Sequence, residues 1–106
     1  MSYNKLVRDK IPDIIKSNNE TPITRILSDN EYKDELDKKL LEECNEVILS
    51  KTIGERIEEL ADLLEVIISI AKSCDKSLDN IISVCETKRS KRGSFDKKIY
   101  LIDVEK

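Results

Sequence analysis

The chain has 106 residues, a formal net charge of -3 and a charged fraction of 39%, which is well above the roughly 25% typical of soluble domains. This length allows a single domain over residues 1–106 with a modest core, and the slight acidity gives no reason to expect nucleic acid as a partner. The sequence contains no histidine, which excludes imidazole acid–base chemistry, Ser-His-Asp and Cys-His catalysis, and histidine-ligated zinc.

The first residues, MSYNKLVRDK, are polar and charged, unlike a signal peptide. No apolar run approaches the roughly 18 residues needed to span a bilayer. The three cysteines, Cys44, Cys74 and Cys85, form no CxxC pair, and each lies in an apolar-periodic stretch, which indicates reduced packing thiols. We therefore expect a cytoplasmic protein with no membrane partner.

The N-terminal half predicts two helices around a short strand. Residues 9–18 can form a helix that starts at Asp9 and tolerates Pro12 in its first turn. The sequence ITRIL at 23–27, after a proline, is typical of a strand. A long helix is expected from about residue 31 to 50. Its apolar stripe has three- and four-residue spacing and consists of Leu36, Leu40, Cys44, Val47 and Ile48.

The C-terminal half predicts two more helices and a second strand. Thr52 followed by Glu55 resembles a capping box for a helix over 53–73, whose wide apolar face indicates a central position in the fold. Asp75 or Ser77 can cap a fourth helix that Gly93 ends. The tail 98–104 alternates like a strand that pairs with 23–27. The predicted fold class is all-α, a helical bundle with this small two-stranded element.

Two pairs of acids, each three residues apart, occur in the two central helices: Glu43 with Glu46, and Glu59 with Asp62. Each pair projects from one side of its helix, so neighbouring helices can offer four carboxylates to one cleft. Glu59 falls within the apolar arc of its helix, where an uncompensated charge costs several kcal/mol. A divalent cation held by oxygen, magnesium or manganese, would compensate it. The alternative is a solvated helix flank, which is common in so charged a chain.

The end of the fourth helix is basic. Lys88, Arg89 and Arg92 continue the angular stripe of its apolar residues. Cations favour helix C-termini in any case, but a basic rim near an acidic metal site would also meet phosphate oxygens. Arg8 and Lys10 near the N-terminus add further positive charge. Acids that hold magnesium together with bases that hold phosphate indicate a site for a nucleotide polyphosphate.

Four sequence segments together resemble a known family. EECNE at 42–46 followed by ELAD at 59–62 resembles the EExxE…ExxD signature of the MazG-like, all-α nucleoside triphosphate pyrophosphohydrolases. NKLVRDKIPDII at 4–15 and KRSKRGSF at 88–95 resemble the opening and closing segments of a subgroup described as related to phosphoribosyl-ATP pyrophosphohydrolase. The resemblance covers nearly the whole chain.

The resemblance implies a helical bundle that forms a homodimer or homotetramer and binds magnesium between its two acid-bearing helices. It implies cleavage of a nucleoside triphosphate between the α- and β-phosphates, which clears non-standard or surplus nucleotides. Glu42 would support the ligands or position water, and Gly93 would turn the backbone toward the site. By the same resemblance, the metal ligands would be Glu43, Glu46, Glu59 and Asp62, and the phosphate-binding residues would be Arg8, Lys10, Lys88 and Arg92.

Two rival functions stay open. The substrate could be phosphoribosyl-ATP, or the chain could be a non-catalytic oligomerisation or adaptor module whose acids are solvated. The adaptor predicts no stabilisation by magnesium, and it predicts that replacing Glu59 by Leu does no harm. The apolar surface of 53–73 exceeds what three short helices can cover, so a second chain is expected in either case.

Overall fold

The computed structural model describes residues 3–106, which form four helices and no strand. They are α1 (Ile11–Ser17), α2 (Asp29–Leu49), α3 (Ile53–Ser73) and α4 (Leu78–Arg92). The prediction of an all-α fold is confirmed. Within the same residues, no helix combines the length and the apolarity that crossing a lipid bilayer requires.

Side-chain caps determine where α2 and α4 begin. The Ser28 hydroxyl accepts a hydrogen bond from the Glu31 amide at 3.3 Å, and the Glu31 carboxylate accepts one from the Ser28 amide at 3.1 Å. This capping box satisfies two amides that have no partner within the helix, and α2 therefore begins at Asp29, two residues before the predicted start. Ser77 and Asn80 form the equivalent box on α4, so Ser77 is the cap of that helix.

Thr52 caps α3 as predicted, because its hydroxyl accepts a hydrogen bond from the Glu55 amide at 3.1 Å. The Glu55 carboxylate instead accepts from the Lys51 amide, at 2.9 Å, so only one half of the predicted box forms. At the other end of the chain, Gly93 follows α4 with φ at +84°, a conformation that glycine adopts without strain. α1 is shorter than the predicted 9–18, with Pro12 in its first turn.

The predicted pairing of 23–27 with 98–104 is wrong: both segments are irregular. Ile23 is 98% exposed and Ile102 is 90% exposed, so neither segment has a surface that covers it. A two-stranded ribbon is marginal in water unless one of its faces packs on other elements. The alternating sequence pattern places apolar side chains on one side of each segment but does not supply that surface.

The core lies between α2 and α3. A three-residue connection, 50–52, makes them an antiparallel hairpin, and their contact is the main packing of the chain. α4 also contacts α3, but every α4 residue after Leu78 is exposed. Among residues 3–106, the buried apolar side chains all belong to the hairpin: Leu36, Val47, Val66 and Ala71.

The chain exposes far more surface than a compact protein of its size. Its accessible area is 9998 Å², whereas a folded monomer of 12.2 kDa exposes roughly 6,100 Å². Its radius of gyration is 18.4 Å, against about 13 Å for a compact domain of this length. Part of the uncovered surface is on α3, where Leu60 and Leu64 are each 43% exposed.

All three cysteines are free thiols. Cys44 is half-buried beside the core, as expected of a packing thiol. Cys74 and Cys85 are exposed, so the prediction that they pack in the interior is wrong. Cys74 ends α3 as its C-cap residue, and Cys85 lies on the open surface of α4.

Candidate metal centre

The hairpin brings the two acid pairs opposite each other. Glu43 and Glu46 lie in the last two turns of α2, and Glu59 and Asp62 lie in the second and third turns of α3. Because the helices are antiparallel and joined by a short connection, the end of α2 lies beside the beginning of α3. The Glu46 charge acts on Glu59 and the Asp62 charge acts on Glu43, so the two acids of each pair lie near each other.

Three of the four acids form one group. Glu43, Glu59 and Asp62 each offer a carboxylate oxygen, and these oxygens all lie within 4.8 Å of one another. All three side chains are half-buried, with Val47 and Val66 buried nearby in the same helices. Glu46 is more exposed and stands outside this group of three.

Burial and mutual repulsion disfavour the ionised forms of two of these acids. Burial, followed by the negative charges of Asp62 and Glu42, raises the pKa of Glu43, and Lys39 partly opposes this effect. Burial, followed by the charges of Glu46 and Asp62, raises the pKa of Glu59. The site holds more negative charge than its surroundings compensate.

Arg8 supplies one compensating charge. Its Nη2 donates a hydrogen bond to Asp62 Oδ1 at 2.7 Å. The segment before α1 thus lies against the acidic side of the hairpin, which brings a predicted phosphate-binding base to a predicted metal ligand. The sequence indicated both residues but not their contact.

The donor set of the group suits a hard divalent cation. All three potential ligands are carboxylates, which Mg²⁺ and Mn²⁺ prefer, and none is the nitrogen or sulfur donor that zinc favours. Mg²⁺ commonly takes a few carboxylates and keeps water and phosphate oxygens in its other positions. Glu43, Glu59 and Asp62 would hold such an ion, with Glu46 close by.

Glu42 lies on the outer side of α2, where its carboxylate pairs with Lys39 Nζ at 3.3 Å. Lys39 is half-buried and also lowers the pKa of Glu43, so it is part of the electrostatics of the site. Sequence reasoning missed Lys39. Its spacing of three residues from Glu42 and four from Glu43 on one helix was the signal that could have found it.

The remaining predicted bases are not at the acids. Lys10 is exposed and occupies the N-cap position of α1. Lys88 and Arg92 are exposed near the end of α4, beside an open depression that also touches Thr87 and Lys91. Among residues 3–106, no ion pair joins either of these α4 bases to an acid.

Comparison with known proteins gives one relative and no family. The chain is 44% identical over 54 residues to an uncharacterized protein of Mycolicibacterium smegmatis, a match that covers 51% of this chain and 55% of that protein. The match thus spans about half the length of the relative. No protein-family model and no solved structure matches the chain.

Proposed function

We propose that this protein is a magnesium-dependent nucleoside triphosphate pyrophosphohydrolase of the MazG-like all-α type. It would cleave the triphosphate between the α- and β-phosphates and release a nucleoside monophosphate and pyrophosphate. The observation that carries the proposal is the group formed by Glu43, Glu59 and Asp62, in which three carboxylate oxygens from two helices lie within 4.8 Å of one another. Arg8 adds a cation at the edge of this group, where a phosphate would lie.

The residues present suit the chemistry. Magnesium, when bound, neutralises the polyphosphate and polarises the phosphorus under attack. Glu43, Glu59 and Asp62 would hold that charge in place, and Glu46, which lies near Glu59, would orient a water molecule toward the α-phosphorus. The water oxygen forms the new bond to phosphorus as the bond to the bridging oxygen breaks. A carboxylate takes the proton of the water, and pyrophosphate leaves with its charge held by Arg8 and other bases.

The raised pKa values of Glu43 and Glu59 agree with this assignment. Like-charged carboxylates held close together lower the stability of a fold unless a cation joins them. Holding these carboxylates close together on α2 and α3 lowers the stability of the folded state, and metal binding would remove this loss.

We propose further that the protein is a cytoplasmic homo-oligomer. The free state of all three cysteines agrees with a reducing compartment. The exposed surface of 9998 Å² exceeds that of a compact monomer by roughly 3,900 Å², so the chain has surface to spare for an interface with another copy.

The test is pyrophosphate release from a panel of ribo- and deoxynucleoside triphosphates, measured with and without magnesium. The wild-type protein is compared with Glu59→Gln and with Glu65→Gln, which alters an exposed acid on the same helix outside the group of three. We expect magnesium-dependent release by the wild type and by Glu65→Gln. We expect a loss of 100-fold or more in Glu59→Gln, or roughly 3 kcal/mol of transition-state stabilisation.

Absence of release from every nucleotide, with all three proteins folded, contradicts the proposal. Phosphoribosyl-ATP is then the next substrate to test with the same variants. If that substrate also stays intact and magnesium does not raise the melting temperature, the protein is an adaptor module.

A further inference from the structure

The segment before α1 and the middle of α2 line a small pocket beside the candidate metal centre. Its volume is about 170 Å³, below the roughly 300–1,000 Å³ of sites for drug-sized ligands, so it suits a single ring and not a whole nucleotide. Its α2 residues recur at three- and four-residue spacing, so they form one side of the helix. The lining consists of Asn4, Lys5 and Leu6 before α1, and of Glu35, Lys38, Lys39 and Glu42 on α2.

Both walls of the pocket continue to the acids of the candidate metal centre. On α2, Glu42 is next to Glu43 in sequence, and Glu35 lies two helical turns away, about 12 Å along the axis. In the other wall, Arg8 follows the pocket lining by two residues and pairs with Asp62 at 2.7 Å. A nucleotide with its phosphates at the acids would therefore bring its base, one sugar away, to this pocket.

The pocket holds a carboxylate that lacks a hydrogen-bond donor. The side chain of Glu35 is 21% exposed, and its Oε2 is shielded from solvent. Lys38 Nζ forms an ion pair with this oxygen at 2.9 Å, but among residues 3–106 no group donates a hydrogen bond to it with suitable geometry. Lys38 is 76% exposed, so its pairing is weak and its side chain can turn into solvent to uncover the carboxylate.

A half-buried ammonium group lies on the same wall. The side chain of Lys39 is 20% exposed, and its Nζ is 3.3 Å from a carboxylate oxygen of Glu42. This contact joins residues three positions apart on one helix, a weak kind of pair that leaves donor positions of the ammonium free for a ligand. Leu6, half-buried in the facing segment, offers apolar surface to a ring.

A carboxylate beside an ammonium group recognises a ring that presents an amino group beside an acceptor. The carboxylate accepts hydrogen bonds from the amino group, and the ammonium donates to a carbonyl oxygen or an unprotonated ring nitrogen. Cytosine is a single ring with this arrangement, at N4, N3 and O2. Uracil and thymine place a carbonyl oxygen where cytosine has its amino group, and two acceptors would then face each other without a proton between them.

We propose that this pocket holds the base of the substrate and selects an amino-bearing pyrimidine, with Glu35 as the acceptor and Lys39 as the donor. Both residues determine specificity and take no part in breaking the phosphoanhydride bond. The catalytic consequence of this inference rests on the proposed function. Binding of a free nucleoside does not, because a nucleoside carries no phosphate for the acidic centre to hold.

The catalytic consequence is tested by kcat/KM for pyrophosphate release from CTP and UTP in magnesium. The wild type is compared with Glu35→Gln and with Asp37→Asn, an exposed acid of the same helix outside the pocket. We expect the wild type and Asp37→Asn to prefer CTP by roughly tenfold or more. Glu35→Gln should lose this preference, because the glutamine amide can also donate to O4 of uracil. Equal kcat/KM for the two nucleotides in the wild type, a preference for a purine triphosphate, or a preference that survives in Glu35→Gln overturns the proposal.

The pocket itself is tested with cytidine and uridine, in chelator, by backbone amide chemical shifts. We expect cytidine to shift the amides of Leu6, Glu35 and Lys39 in the wild type and in Asp37→Asn, and uridine to bind roughly tenfold more weakly or less. If cytidine binds in this way but no triphosphate releases pyrophosphate, the proposed function fails and the pocket stands. If pyrophosphate is released without preference among bases and cytidine shifts none of these amides, the pocket assignment fails and the proposed function stands.

Discussion

Arg8 Nη2 lies 2.7 Å from Asp62 Oδ1, and this ion pair connects residues 54 positions apart in the sequence. It attaches the segment before α1 to the acidic side of the α2–α3 hairpin. Because Asp62 also belongs to the group with Glu43 and Glu59, a metal ion bound there would compete with the guanidinium for Asp62. The pair therefore links the stability of the N-terminal segment to the occupancy of the candidate centre.

Replacing Arg8 by Gln is expected to lower the free energy of unfolding by no more than about 1 kcal/mol, since both partners are substantially exposed and solvent screens their attraction. If magnesium binds as proposed, the same change is expected to increase the rise in melting temperature on adding magnesium, because the metal would no longer compete with a cation for Asp62. Differential scanning fluorimetry over a magnesium titration measures both effects.

Arg25→Gln is the matched control for this experiment. Arg25 forms the other exposed arginine–carboxylate pair, with Glu31 at 2.6 Å, and it takes no part in the acidic group. The substitution Arg25→Gln should leave the rise in melting temperature on adding magnesium unchanged. A smaller response in Arg8→Gln than in the wild type would show that Arg8 assists metal binding instead of competing with it.

Glu59→Gln is expected to have opposite effects on stability with and without magnesium. In the metal-free protein the pKa of Glu59 is raised, so its charged form disfavours the folded state and its removal should preserve or increase the free energy of unfolding at pH 7. In saturating magnesium, the wild type is expected to gain stability that the variant lacks. Urea unfolding in chelator and in magnesium gives the two differences, and a variant that is less stable in both conditions contradicts the prediction.

The metal-free protein is also expected to gain stability from Glu43 and Glu59 as the pH falls from 7. Their folded pKa values are raised above the ordinary 4.5, so the folded state takes up protons more readily than the unfolded state. This contribution is fully present below pH 4.5 and is lost as the pH rises through the folded pKa values. Urea unfolding between pH 4.5 and 7 should show it in the wild type. If the free energy of unfolding changes as steeply with pH in Glu43→Gln/Glu59→Gln as in the wild type, the two acids do not make this contribution.

Helical spacing and caps were sufficient to predict the long helices. The range of α3 agrees with 53–73 because Thr52 caps it and its apolar residues keep a helical period. The failure of the strand pairing between 23–27 and 98–104 has a different origin. Alternation indicates which side chains share a side of a segment, but a strand also needs a partner and a covered face, which depend on tertiary packing.

The candidate site was predictable only where it depends on local spacing. Acids three residues apart share one side of a helix, and Glu43, Glu59 and Asp62 meet because those sides of α2 and α3 face each other in the hairpin. The contact of Arg8 with Asp62 could not be predicted, because it depends on the path of an irregular segment. The separation of Lys88 and Arg92 from the acids depends on the direction that α4 takes after the connection, which periodicity does not determine.

Glu31 is expected to give the opposite pH dependence from the acidic group. The hydrogen bond from Arg25 and those from Ser28 lower the pKa of Glu31 to about 2. A carboxyl group with a lowered folded pKa contributes stability that is present above its unfolded pKa of 4.5 and is lost as the pH falls toward 2. Glu31→Gln can keep the cap but not the charge. In urea unfolding between pH 4.5 and 3, the free energy of unfolding should fall more in the wild type than in Glu31→Gln. If it falls equally in both proteins, the ion pair of Glu31 is not the cause.

Leu36 is the most deeply buried apolar residue among residues 3–106, at 3% exposure, and it packs in the α2–α3 core. Leu36→Ala is expected to lower the free energy of unfolding by about 2–4 kcal/mol, because it removes buried methyl groups and leaves a cavity. In a chain with so few buried side chains, a loss of this size should unfold a measurable fraction at 37 °C. Leu41→Ala, at a position of the same helix that is 69% exposed, should change stability by only about 0.5 kcal/mol. Equal effects of the two substitutions, measured by far-ultraviolet circular dichroism in urea, would mean that the hairpin core does not determine the stability of the fold.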